Sequence, residues 1–296
     1  MTVSGWLNIN KPAGITSYAV IARLKRLTGQ RHIGHAGTLD PLATGVLPVA
    51  FGQATRTIEF LHQVSKTYLA EIELGAETDT LDAKGKFMFR HDASGVSQDA
   101  VEMALRSFIG TIRQVPPVFS ALKRNGTPLY ELARRGETVE LEPRMVTIHK
   151  IQLLDFNPPV VTIEVDCGSG TYIRSLARDL GQSLGVGAYL KCLERTRYGI
   201  FDIKDCTELG RMDSAEEIIA DLLPADYPLS HCPGVQADSE SAERISHGVV
   251  TAEVLAQITE KRAYCLYDRS GILLAVIDAS STDLRLKVFN QPATDT

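Results

Sequence analysis

A single acid, Asp40, stands in the glycine-rich, otherwise uncharged run Gly34-His35-Ala36-Gly37-Thr38-Leu39-Asp40-Pro41-Leu42-Ala43-Thr44-Gly45-Val46-Leu47-Pro48-Val49. Loops carried on a rigid scaffold are common homes for catalytic groups. Pro41 restricts Asp40 to extended backbone, which fixes the direction of its carboxylate. Two readings follow from the residues alone. Asp40 is either a carboxylate aimed for chemistry or the start of a turn, a frequent role of Asp-Pro.

Other chemistries are not signalled. No GxGxxG, GxxxxGK[ST] or HExxH run occurs. The five cysteines, at 167, 192, 206, 232 and 265, contain no CxxC pair and no Cys/His spacing suited to a metal. Their odd number also argues against a disulfide framework. No cofactor, nucleotide or metal, is expected.

The elements that must position Asp40 can be read from periodicity and punctuation. Trp6–Asn10 alternates as a strand and stops at Lys11-Pro12-Ala13-Gly14. Thr16 or Ser17 caps a predicted helix over Tyr18–Leu27, with Val20, Ile21, Leu24 and Leu27 on one face and Gly29 as the stop. Residues 30–45 read as irregular loop, Val46–Phe51 as a strand and Thr55–His62 as helical. Thr67–Leu74 alternates as a strand, and Ala76–Lys86 reads as a polar loop. Ser97 caps a helix over Ala100–Ile109. Residues 111–144 read as irregular and basic around a short helix at Leu129–Arg135. Met145–Phe156 and Val160–Cys167 read as paired strands, Tyr172–Leu184 as a strong amphipathic helix, and Ala188–Tyr198 as another strand.

Pro224, Pro228 and Pro233 mark a boundary near Leu223–Gly234. Beyond it, a helix at Ser241–His247 and β-like runs at Ala263–Tyr267, Ile272–Ile277 and Leu284–Phe289 make a small, mainly β module. The expected division is 1–230 and 235–296. Strands and helices mix without regular βαβ alternation, so the predicted class is α+β with a largely antiparallel, mixed sheet and flanking helices.

The 296 residues, 44% of them hydrophobic, suffice for a sizeable core without staples. No apolar run approaches the roughly 18 residues of a membrane helix, and the N-terminus lacks the pattern of a secretory signal. The expected compartment is therefore the cytoplasm, with no membrane partner. The net charge is −5, but it is unevenly spread. Residues 1–66 carry seven basic and two acidic side chains, whereas 205–296 carry seven basic and sixteen acidic. Residues 113–150 and 170–204 are each +3. Such a distribution can offer a positive face to phosphates, or simply be solvated charge.

The run around Asp40 resembles the central motif of the TruB family of pseudouridine synthases, which act on the T arm of tRNA. Further stretches resemble that family in order. They are Leu7-Asn8-Ile9-Asn10-Lys11-Pro12-Ala13-Gly14-Ile15-Thr16-Ser17, Lys66-Thr67-Tyr68, Gly75 to Gly85, Gln114 to Lys123, and Cys167 to Leu180. The resemblance covers about residues 6–200 and weakens after about residue 230.

The resemblance implies a pseudouridine synthase core with a thumb-like, RNA-closing insertion at about 117–145. It implies Asp40 as the nucleophile, Arg174 as its partner, holding the carboxylate ionised, and Tyr68 as the aromatic that stacks on a flipped uracil and helps remove the C5 proton. Leu193 becomes the apolar wall opposite, with Asp82 and Tyr172 holding Arg174 or the base edge. His35 enters the RNA loop and keeps the target extruded. Lys11 and Lys66 either contact phosphate or remain solvated charges. The C-terminal module corresponds to a PUA-like domain that many members use to touch the acceptor end of tRNA, although here it lies in the acidic region. The implied activity is conversion of the T-loop uridine at tRNA position 55, by a monomer with no obligate protein partner and no cofactor. Two other readings are a tRNA folding factor and a guide-RNA-dependent synthase subunit.

Overall fold

Alternating apolar side chains build the main sheet. In Lys66–Leu74 they are Tyr68, Ala70, Ile72 and Leu74; in Val160–Cys167 they are Val161, Ile163, Val165 and Cys167, all buried. The computed structural model describes residues 3–61, 64–120, 122–124, 126–135, 141–281 and 283–289. Parts of the basic insertion, namely Ala121, Asn125 and 136–140, lie outside the described residues, as does the 290–296 end of the C-terminal module.

The sheet has ten strands. Its main path runs Thr207–Glu208, Gly5–Lys11, Thr44–Phe51, Ala188–Tyr198, Lys66–Leu74, Val160–Cys167, Arg144–Asn157 and Gly110–Gln114. Ile33–His35 pairs with Thr44–Phe51, and Phe201–Asp202 pairs with Ala188–Tyr198. Two short contacts are parallel, at Ile9/Thr207 and Glu194/Thr44, and the remaining contacts are antiparallel. The α+β expectation of a largely antiparallel, mixed sheet therefore stands.

Helices cover one face. Ser17–Thr28 starts at Thr16, whose hydroxyl accepts from the Ala19 amide at 3.0 Å, and stops at Gly29 in the left-handed region. Ile173–Ser183 buries Ile173, Leu176, Ala177 and Leu180. Its first turn lacks a side-chain cap. Instead Gln114 clamps the Tyr172 backbone, donating to its carbonyl at 3.1 Å and accepting from its amide at 2.8 Å.

Four predicted boundaries shift. Residues 30–45 include the strand Ile33–His35, and Thr55–His62 becomes a 3-10 helix over Gly52–Leu61. The loop at 76–86 opens with strand Ala76–Thr78, paired to Phe87–Arg90, and the irregular stretch at 111–144 begins within the edge strand Gly110–Gln114. The three strand segments among these are too short to carry a period, and their pairing partners give them their structure. The helix Ala215–Ala220 was not foreseen, although Ser214 and Glu217 form a full capping box.

The C-terminal sheet runs Gly234–Gln236, Ala263–Tyr267, Leu273–Asp278 and Arg285–Val288 around a core of Val235, Ile245, Val254, Leu266 and Ile277. It leans on the main body. Phe60 packs with Leu229, Cys265, Val276 and Phe289. Glu59 pairs with Arg285 and Lys287, and Arg56 donates to the Val288 carbonyl.

Candidate active site

Asp40 is seated by contacts from the N-terminal segment. Ser17 Oγ accepts from the Leu39 amide at 2.9 Å and donates to the Leu39 carbonyl at 3.1 Å. On the other side, the Gly14 amide donates to the Pro41 carbonyl at 2.7 Å. Farther on, Gly45 adopts φ +98°, and a Cβ there would stand 2.3 Å from the Arg195 carbonyl. Only glycine lets Thr44–Phe51 meet Ala188–Tyr198 this closely.

Arg174, 5% exposed, aims its guanidinium at Asp40, with Nε 2.9 Å from Oδ2. Nη1 lies 3.7 Å from Asp82 Oδ2 and donates to the Thr80 carbonyl at 3.2 Å. Nη2 donates to the Phe119 carbonyl at 2.9 Å. One buried fork thus serves two carboxylates and two carbonyls, as arginine's planar donor set allows. Asp82 is itself held. Its Oδ1 accepts from the Thr80 hydroxyl at 2.8 Å and the Lys84 amide at 3.0 Å. Leu81, just before it, takes the left-handed φ of 62°, a conformation that costs a leucine energy. The Leu81 carbonyl is anchored by the Leu190 amide at 3.0 Å.

The electrostatics correct one expectation. Burial is the largest influence on the Asp40 pKa and raises it, Asp82 adds to the rise, and Arg174 and Lys11 pull it down. The net shift is upward, above the ordinary carboxylate range. Arg174 therefore limits the cost of burying the charge rather than making Asp40 unusually acidic.

A cavity of about 450 Å³ opens beside this pair, lined by Asp40, Tyr68, Tyr172, Arg174, Leu193 and Arg195 among others. Tyr68 and Leu193 are both buried, and burial keeps the Tyr68 phenol protonated by raising its pKa. Lys66 also lines the cavity. Its Nζ donates to Ser169 Oγ at 3.0 Å and sits 4.6 Å from the centre of the Tyr198 ring. Burial, with help from Arg195, lowers its pKa to about 8.

Three expected residues do not line the cavity. Asp82 reaches it only through Arg174. His35 ends the strand Ile33–His35, half-buried, with Nδ1 lacking a hydrogen-bond partner; burial lowers its pKa. Lys11 is the clear correction. It is fully buried, and its Nζ donates to the Pro12 and Ile15 carbonyls, both at 2.9 Å. An ammonium with no exposed surface braces its own turn and does not meet phosphate.

Sequence reasoning missed Arg195. It is 1% exposed, lines the cavity, and donates to the carbonyls of Val46 at 2.7 Å and Gly37 at 3.1 Å. The signal was available. Leu193 and Arg195 lie two apart on one strand and so share a face. Conversely, Gly181-Gln182-Ser183-Leu184-Gly185 has GxSxG spacing but ends a helix, where Ser183 Oγ donates back to the Leu180 carbonyl at 2.8 Å. It is no nucleophile elbow. Among the described residues no three His, Cys, Asp or Glu side chains gather into a metal site, and no helix is long and apolar enough to cross a membrane.

Comparison with known proteins agrees with this geometry. The family model described as TruB family pseudouridylate synthase (N terminal domain) matches residues 25–173. The chain is 45% identical over 278 residues to a tRNA pseudouridine synthase B of Dehalococcoides mccartyi, covering 93% of this chain and 92% of that protein. It is 47% identical over 253 residues to the protein of the same name from Symbiobacterium thermophilum, covering 84% of each. For the Burkholderia mallei protein the identity is 43% over 284 residues, with 94% of each covered. Among solved structures, a chain of a Cbf5-Nop10-Gar1 complex superposes with a TM-score of 0.71 at 25% identity, covering 97% of this chain and 84% of that one. Similarity of this extent, on a fold that brings Asp40, Tyr68, Arg174 and Leu193 to one cavity, means that the chain belongs to the TruB family of pseudouridylate synthases.

Proposed function

We propose that the chain isomerises uridine to pseudouridine at position 55, in the T loop of tRNA, with Asp40 as the nucleophile. The observation that carries this reading is the Asp40–Arg174 pair at 2.9 Å on the wall of a cavity flanked by Tyr68 and Leu193. The tRNA substrate is the one named for relatives at 43–47% identity.

The reaction breaks N1–C1′, turns the base and forms C5–C1′, with the C5 proton released to solvent and one proton taken up at N1. It is redox-neutral. A carboxylate can hold one fragment while the other turns, whether Asp40 attacks C1′ or C6 or first takes a sugar proton. A cavity of this kind admits only an extruded base, and extrusion costs a few kcal/mol. Stacking on Tyr68 returns about 1–3 kcal/mol, with Leu193 closing the other face. Lys66, a basic side chain lining the cavity, suits a phosphate contact, which positions the RNA without reading its sequence.

The reading includes a catalytic body over 1–230 and a PUA-like module over 235–296, working in the cytoplasm as a monomer without an obligate protein partner. A guide-RNA-dependent subunit is the second reading, favoured by the likeness to a chain of the Cbf5-Nop10-Gar1 complex. The higher identity to proteins named for tRNA outweighs it.

The test uses a tRNA transcript tritiated at uridine C5 and the purified protein, wild type and Asp40→Ala. Tritium release by wild type alone, with pseudouridine in the T loop, is the expected result. A folded wild type that binds tRNA yet releases nothing overturns the proposal. Activity only with added guide RNA and protein partners moves the assignment to the second reading.

A further inference from the structure

Arg195 stands where the two halves of the site meet. Its strand, Ala188–Tyr198, lies between Thr44–Phe51 and Lys66–Leu74. On one side Arg195 is opposite Gly45, and on the other it is opposite Tyr68. Directly opposed residues of an antiparallel pair put their side chains on one face, and Arg195 and Tyr68 both line the cavity. Their ends interact, the Arg195 guanidinium as donor and the Tyr68 phenol oxygen as acceptor. Burial raises the Tyr68 pKa, and Arg195 opposes that rise both as a cation and as a donor.

The guanidinium is anchored from the Asp40 side. Nε donates to the Val46 carbonyl at 2.7 Å and Nη2 to the Gly37 carbonyl at 3.1 Å, so its two carbonyl partners bracket Asp40 in the chain. The Tyr198 ring centre lies 4.9 Å from the guanidinium carbon, and the Tyr198 hydroxyl donates to the Ala36 carbonyl at 3.0 Å. One buried group therefore joins the loop that carries Asp40 to the aromatic assigned to the base. Arginine has donors and no acceptor. The phenol oxygen that meets it must accept, which fixes the place of that oxygen and leaves the phenol proton for another partner. We propose that Arg195 is a positioning residue for the isomerisation, acting through Tyr68. Anchored on the Gly37 and Val46 carbonyls, it sets where the Tyr68 ring and hydroxyl stand relative to Asp40. The inference rests on the pseudouridine synthase reading. Without this contact Tyr68 still offers a face to uracil, so binding persists while the reacting geometry loosens.

The experiment is a double-mutant cycle of Arg195→Lys and Tyr68→Phe, read by tRNA affinity and by single-turnover tritium release at saturating tRNA. Lysine keeps the charge but cannot hold three acceptors at once. Arg195→Lys is expected to slow release roughly 10- to 100-fold, the weight of a hydrogen bond from a charged donor, and to leave affinity within about twofold. In the Tyr68→Phe background, which lacks the phenol oxygen, the same change should cost less than about twofold more. Equal losses in both backgrounds overturn the proposal, and so does weakened affinity with an unchanged rate at saturation. If Tyr68→Phe is silent, the cycle is read by denaturant unfolding, where non-additive midpoints support the contact and additive ones refute it. Arg195→Gln runs alongside in case the lysine variant does not fold. Failure of both to fold overturns the proposal, because the residue would then be structural. If wild type itself releases no tritium, the functional reading fails and takes this inference with it.

Discussion

Replacing Arg174 by lysine keeps the charge and removes the fork, so it isolates what the guanidinium geometry does. Arg174 reaches Asp40 through Nε at 2.9 Å, the Thr80 carbonyl through Nη1 at 3.2 Å and the Phe119 carbonyl through Nη2 at 2.9 Å. A lysine has one nitrogen and cannot occupy three such positions. If it stays with Asp40, two carbonyls lose their donor, at about 1–2 kcal/mol each. The expected destabilisation is about 2–4 kcal/mol, a fall of roughly 3–6 °C in Tm for a chain of this size. Catalysis should suffer more. Asp40 loses its aim, and a misplacement of about 1 Å costs on the order of 100-fold. Because a cation remains near Asp40, the acid limb of the rate profile should hardly move. Thermal unfolding and single-turnover tritium release across pH test each part. A rate within about threefold of wild type would refute the aiming argument. A large rate loss with a strong shift of the acid limb would mean that charge, not geometry, was the contribution.

Asp40→Asn should bind tRNA nearly as wild type, since phosphate contacts persist, while turnover falls by on the order of 10⁴-fold or more; filter binding and tritium release measure the two. In wild type, Asp40 is raised by burial, and the attacking form is ionised. The rate should therefore fall as pH drops through a value above the ordinary carboxylate range, and an acid limb below that range would contradict the burial argument. Lys66 has its pKa lowered to about 8, so its charge disappears as pH rises through that value. tRNA affinity should weaken there, and Lys66→Met should be weaker throughout but flat across the same range. Gly45→Ala places a Cβ at φ +98°, 2.3 Å from the Arg195 carbonyl. It should cost at least about 2–3 kcal/mol in a denaturant titration.

Composition singled out Asp40 but left its role open, and the grouping of Asp40, Tyr68, Arg174 and Leu193 was legible only through the resemblance to the TruB family. Asp40 lies in an otherwise uncharged loop, and the strand Ala188–Tyr198 and the helix over Ile173–Ser183 announce themselves by period. What sequence could not give was the balance of opposing terms. The proximity of Arg174 to Asp40 was expected, but the sign of the Asp40 shift depends on how far the surrounding protein withholds water from a carboxylate that is still about a third exposed. Lys11 failed for the same reason: a lysine ending a strand looks exposed until the turn it braces closes over it. Short partners such as Ile33–His35 and Ala76–Thr78 exist only through pairing with other segments, and three residues carry no readable period.

The strand Ala188–Tyr198 lies between Thr44–Phe51 and Lys66–Leu74 in the sheet. Asp40 belongs to the half on one side of it, while Tyr68 belongs to the other. On the ribosome, every acid and base assigned to the reaction is therefore made before the strand that joins the two halves. A nascent chain ending before residue 188 holds Asp40, Tyr68, Asp82 and Arg174 with no seam to register them. Such long-range pairing is slow and comes late. Catalytic competence thus arrives in one step, with the seam, rather than growing as the polypeptide lengthens.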